Sequence, residues 1–100
     1  MDLDLSKIKK IFFIGIGGIG ISALAKMAIS RGIEVSGVND DESPKTLDPL
    51  TQAGATIFYK DSFKELPKAD LYIYSDAWLN RGPEIIESAK KTGKPVLSYF

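Results

Sequence analysis

Apolar residues fall along this chain in blocks of two kinds. Ile11-Phe12-Phe13-Ile14 is an unbroken apolar run, the pattern of a strand buried on both faces of a parallel sheet. From Ile21 onward the apolar positions recur at Leu24, Ala25, Ala28 and Ile29, which is one face of a helix. These patterns predict a first strand over residues 10–15 and a first helix over 18–31, closed by Arg31 and Gly32 as basic last turn and C-cap. A second strand is expected over 34–38, followed by the polar, acidic loop Asn39 to Pro44. The second helix is expected over 46–53, with Thr46 as cap, Pro49 in the first turn and Leu47, Leu50 and Ala53 facing inward. A third strand over 55–59 leads into the polar segment 60–68, which is anchored by Phe63 and Leu66 and is too short for a full helix. The fourth strand is expected over 70–75, and a loop over 76–82. Pro83 then opens a helix running to about residue 91, with Ile85, Ile86 and Ala89 inward, and Gly93 caps it. The last strand is expected over 95–100.

Strands alternate with helical segments through short connections. This predicts an α/β domain: a Rossmann-like, five-stranded parallel sheet with helices on both faces. Right-handed crossovers leave few topologies, of which 3-2-1-4-5 is expected. In such a sheet, ligands bind at the carboxyl ends of strands one, two and four, where the strand order reverses. The chain ends on a strand with no helix after it, so residues 1–100 are expected to be a single domain of a longer protein.

The chemistry concentrates where the first strand meets the first helix. Gly15-Ile16-Gly17-Gly18-Ile19-Gly20 places a glycine loop between a strand and a helix, the setting of a phosphate-cradling turn. In that role Gly15 makes the turn, Gly17 lets backbone approach a diphosphate, and Gly20 lets the helix pack closely on the sheet. The loop would aim backbone N–H groups and the positive helix end at an anion. The alternative is a turn that serves helix–strand packing alone.

Composition narrows the choice of chemistry. Lys+Arg and Asp+Glu both number 13, so there is no net charge to mark a nucleic-acid or membrane surface. There is no Cys and no His, which removes disulfides, thiolate metal sites and the commonest general base. No run is long enough to span a bilayer and the first ten residues carry no secretory pattern, so a cytoplasmic location is expected. No Walker-type loop is present. The chain alone is expected to bind rather than to catalyse.

Other residues at predicted strand ends are candidates. Asn39, Asp40, Asp41 and Glu42 begin about twenty positions after the glycine loop, where a carboxylate commonly receives ribose hydroxyls; the alternative is a solvated turn, and Asn39 with Asp40 are preferred. Ser75, Asp76 and Ala77 lie at the mouth of the fourth strand, placed to meet a base or sugar. Trp78 either stacks on a base or covers the core edge. Lys60, Asp61 and Lys64 form a polar cluster more simply read as solvated.

The run from Phe13 to Ala25 resembles the opening of the UDP-N-acetylmuramate–L-alanine ligases, of the Mur ligase family. The paired Gly17-Gly18 and the following Ser22 carry most of the likeness. Glu34-Val35-Ser36-Gly37, Gly54-Ala55, Tyr74-Ser75 with Ala77, Pro83-Glu84-Ile85 and Gly93-Lys94-Pro95-Val96-Leu97 extend it along nearly the whole chain from Ile8. The resemblance implies the first domain of a three-domain ligase, which binds the UDP part of UDP-N-acetylmuramic acid. ATP and Mg2+ would belong to the middle domain, and the amino acid to the last. It further implies that Gly15, Ile16, Gly17, Gly18, Ile19 and Gly20 hold the diphosphate, with Asn39, Asp40, Ser75, Asp76 and Ala77 toward the uridine. The sequence departs from the family pattern at Asn39 (usually Asp), at Lys60-Asp61 (usually Gly-His), at Asp76 (usually Ser) and at Gly82 (usually Asn). A divergent member, a related muropeptide ligase and a homologue of altered substrate are all consistent with these changes. An NAD(H)-binding Rossmann domain would explain the glycine loop and Asp40 equally well, but not the later echoes. An interaction module with a purely structural glycine loop is the third alternative.

Overall fold

A computed structural model describes residues 5–40 and 47–99. Five strands, β1 (Lys10–Ile14), β2 (Glu34–Asn39), β3 (Thr56–Tyr59), β4 (Leu71–Ser75) and β5 (Val96–Tyr99), form one sheet in the order β3-β2-β1-β4-β5. Every pairing is parallel. The helices are α1 (Ile19–Ser30), α2 (Leu47–Gln52), α3 (Trp78–Arg81) and α4 (Pro83–Lys90). The expected fold class, strand order and two-faced helix cover are all present.

Alternation along β1 divides the core. Ile11 and Phe13 face α1 and α2, packing with Ile21, Ala25, Ala28, Leu47 and Leu50. Phe12 and Ile14 face the other way, packing with Trp78, Ile85, Ile86 and Ala89. A strand that must satisfy both layers has no polar position to spare, which is why the sequence reads as a solid apolar run. On the second face the segment after β3 does the work of a helix. It makes a 3-10 turn over Lys60–Ser62, and the Phe63 ring then packs tilted against Phe12 and edge-on against Phe58, with centroids 5.9 and 5.8 Å apart. Leu66 packs on the same layer.

Helix α1 ends one residue earlier than expected, at Ser30, so that Arg31 is the C-cap rather than part of a basic last turn and Gly32 follows it at φ +82°; the amides of Arg31 and Gly32 donate to the Ala28 and Ile29 carbonyls. Its buried face includes Ser22, whose Oγ donates to the Ile19 carbonyl; Leu24 and Ile29 are only half-buried. The expected loop over 76–82 is a correction. Residues Trp78–Arg81 form a helical turn, because Trp78 is an apolar anchor that draws the segment onto the sheet. The cap expected at Thr46, the acidic positions Asp41 and Glu42, and Phe100 lie outside the described residues.

Candidate functional site

Strand register brings the predicted residues to one level. Ile14 is paired with Val38 on one side and Tyr74 on the other. One residue further on, Gly15, Asn39 and Ser75 therefore lie side by side at the carboxyl end of the sheet. Asn39 and Ser75 are themselves level with Tyr59 and Tyr99 on the outer strands. This is the point where the strand order reverses, the usual ligand crevice of such sheets.

The glycine loop is tied down on both sides. The amides of Gly15 and Ile16 donate to the Val38 carbonyl at 2.8 and 3.2 Å, and Gly18 donates back to Gly15. Gly15 takes φ +88°, a conformation that disfavours any side chain. A Cβ there would also lie 2.5 Å from Trp78 Cδ1. On the β2 side, the Gly17 amide donates to Asn39 Oδ1 at 3.2 Å, and a Cβ on Gly17 would stand 2.7 Å from Asn39 Nδ2. At Gly20 the obstacle is Tyr99 of β5, whose Oη lies 2.5 Å from where a Cβ would be. Each of these three glycines thus accommodates a particular side chain from a different element: α3, β2 and β5.

Beyond the loop, α1 starts at Ile19 with Gly18 as N-cap and no side chain capping it. The amides of Ile19, Gly20 and Ile21 form the first turn and have no intrahelical carbonyl to meet. They supply the donors and the positive helix end that suit an anion. Ile16 is fully buried and helps to seat the loop, whereas Ile19 stands 85% exposed.

The candidates at the other strand ends have separate surroundings. Asn39 is buried, with its side chain turned onto the loop. Asp40 is half-exposed and forms an ion pair with Arg81 at 2.7 Å. Ser75 is half-buried; Asp76 and Ala77 are exposed. The Asp76 carboxylate accepts a hydrogen bond from the Ser98 hydroxyl of β5. Lys60 donates to the Arg81 carbonyl, placing a cation at the last turn of α3 as its dipole favours. Lys60 also lines, together with Asp61 and Lys64, a cleft of about 410 Å³ beside α4. Trp78 is buried to 2% exposure, wedged between Gly15 and Gly82. It covers the core edge and is not open for a base to stack upon. A Cβ at residue 82 would meet the Trp78 ring at 2.8 Å, which accounts for glycine where the resemblance leads one to expect Asn.

Sequence reasoning did not single out Arg81, Ser98 or Tyr99. Arg81 and Tyr99 were within reach: the expected strand order sets the loops after strands two and four on either side of the glycine loop, and strand five beside strand four.

With this geometry in place, residues 10–99 match the family model "Mur ligase family, catalytic domain". The chain belongs to the Mur ligase family. Among its Mur ligase relatives, UDP-N-acetylmuramate–L-alanine ligase of Sulfurihydrogenibium sp. is 38% identical over 91 residues, covering 91% of this chain and 20% of that protein. The same-named protein of Buchnera aphidicola is 36% identical over 96% of this chain and 19% of its own length. Among solved structures, UDP-N-acetylmuramate-alanine ligase from Thermotoga maritima superposes with a TM-score of 0.70 at 33% identity, covering 89% of this chain and 20% of that one. A murein peptide ligase from Psychrobacter arcticus gives 0.72 at 30% identity over 88% and 18%. The chain therefore spans about a fifth of the length of the curated relatives it matches.

Proposed function

We propose that this chain is the nucleotide-sugar-binding domain of an ATP-dependent ligase that joins L-alanine to UDP-N-acetylmuramic acid in peptidoglycan precursor synthesis. The observation that carries this reading is the glycine loop: a turn clamped by Asn39 and Trp78 that leads into an uncapped helix start. In a Mur ligase the fitting occupant is the UDP diphosphate, received by the loop and first-turn amides from Gly15 to Gly20. The uridine then extends toward Asn39, Asp40 and the Ser75–Ala77 turn, with Asp40 and the exposed backbone of the turn as its polar contacts.

ATP and Mg2+ are assigned to the parts of the parent that this chain does not span, as are the amino-acid site and the acyl-phosphate chemistry. The domain's partners are then the substrate and those further domains; neither nucleic acid nor a lipid surface is required. Among the described residues, no helix is long and apolar enough to cross a membrane.

Calorimetric titration with UDP, UDP-N-acetylmuramic acid and NADH tests the proposal. Saturable binding of both uridine nucleotides, lost in Gly17→Val, is the expected result. Binding of NADH alone would replace it with the dinucleotide reading. Binding of none of the three would leave the loop a packing device.

A further inference from the structure

The loops after β2 and β4 are joined across the glycine loop by the ion pair of Asp40 and Arg81. Arg81 Nη1 lies 2.7 Å from Asp40 Oδ2, although the two residues are 41 positions apart. Strand β1 sits between β2 and β4, so a bond from the end of β2 to the helix after β4 spans the end of β1, where the glycine loop begins. The residues beside the pair clamp that same loop. Asn39, next to Asp40, holds Gly17. Trp78, one helical turn before Arg81, fills the space over Gly15. Lys60 fixes the backbone end of the helix by donating to the Arg81 carbonyl.

This pair does little for stability, because both side chains are substantially exposed, at 56% and 39%, and solvent screens them. Its chemical content is greater. A guanidinium carries five N–H donors in a rigid plane. Asp40 accepts from Nη1 and so orients the whole plane, leaving donors for a second acceptor. A carboxylate-held arginine is also ordered before an anion arrives, so binding loses less side-chain entropy. The loop and helix amides below offer only neutral donors, and a diphosphate seated on them carries its charge outward.

Building on the function proposed above, we propose that Arg81, oriented by Asp40, is a specificity-determining residue that contacts the diphosphate of a nucleotide seated on the glycine loop. Lysine cannot reproduce the planar fork, so Arg81→Lys restores the charge but only part of the effect.

The test compares UDP with uridine, which share the base and ribose but differ in the diphosphate. Affinities are read by amide NMR shifts, so that millimolar binding is measurable, for the unaltered chain, Arg81→Ala, Arg81→Gln, Arg81→Lys and Asp40→Asn. Removing one charged hydrogen bond weakens UDP about tenfold, with uridine unchanged, in both Arg81→Ala and Arg81→Gln. In the ratio of UDP to uridine affinity, which cancels the contact of Asp40 with the uridine, Arg81→Lys and Asp40→Asn fall between these variants and the unaltered chain. Thermal midpoints close to that of the unaltered chain show that the variants are folded. An unchanged ratio of UDP to uridine affinity in both neutral variants would overturn the inference while leaving the binding reading intact. Failure of the unaltered chain to bind UDP at all would overturn both.

Discussion

The Gly17 amide donates to the side-chain oxygen of Asn39, 22 residues away, at 3.2 Å. This bond joins the glycine loop to the end of β2, and it explains why a buried polar side chain stands at that strand end. Asn39→Ala removes the acceptor and is expected to cost about 1–2 kcal/mol of stability. Asn39→Asp keeps an oxygen in place and is the milder change. Chemical denaturation of the two variants checks the order; equal losses would show that the bond does not hold the loop.

Trp78 is the only tryptophan of the chain and is almost wholly buried against Ile14, Val38 and Ile86. Its fluorescence is expected to be blue-shifted in the folded protein and to move red on unfolding. Trp78→Ala empties a core site and is expected to cost about 3–5 kcal/mol. A red-shifted emission in the native protein would contradict the packing described here.

Gly20 and Tyr99 compete for the same space. Gly20→Ala overpacks the α1–β5 contact, at an expected cost of about 1–3 kcal/mol. Tyr99→Ala leaves that space open, so the double variant should be more stable than the sum of the two single changes implies. A thermodynamic cycle on the four proteins measures this coupling, and strict additivity would refute it.

Asp70 provides a pH test away from the candidate site. Its Oδ2 accepts from the amides of Lys9 and Lys10 at 2.9 and 3.0 Å, tying the start of β1 to the start of β4. Those bonds, with Lys9 the larger cause, hold its pKa below the ordinary 3.8. A carboxylate depressed in the folded state stabilises above its unfolded pKa, and the contribution is lost as pH falls through the folded value. The stability gap between the unaltered chain and Asp70→Asn is therefore expected near neutrality and should shrink below about pH 4. A gap independent of pH would contradict this account.

The fold was legible because its signals are local. An unbroken apolar strand, a glycine loop, helical spacing from Ile21 and Pro83 at a helix start each predict an element without reference to distant residues. The glycine loop was legible as a motif, but the reasons for its glycines were not. Trp78 of α3, Asn39 at the end of β2 and Tyr99 at the end of β5 meet Gly15, Gly17 and Gly20, and only the folded domain brings them there. The helical turn at Trp78–Arg81 is not legible in the sequence, because four residues carry too little periodicity to show a helix. Its cause is tertiary, the burial of one large ring. The Asp40–Arg81 pair is legible only as a neighbourhood: the expected strand order brings the two loops to either side of the glycine loop, but nothing in either segment marks the residue it pairs with.

The glycine loop of this Mur ligase domain is proposed to receive the diphosphate of a UDP-sugar. The most direct test is a two-dimensional amide NMR titration with UDP-N-acetylmuramic acid, with NADH as comparator. Shifts are expected at Gly15–Gly20, Asn39, Asp40 and Ser75–Ala77 for the UDP-sugar, with none of comparable size for NADH. Shifts at those amides for NADH alone, or none there at millimolar UDP-sugar, would contradict this proposal.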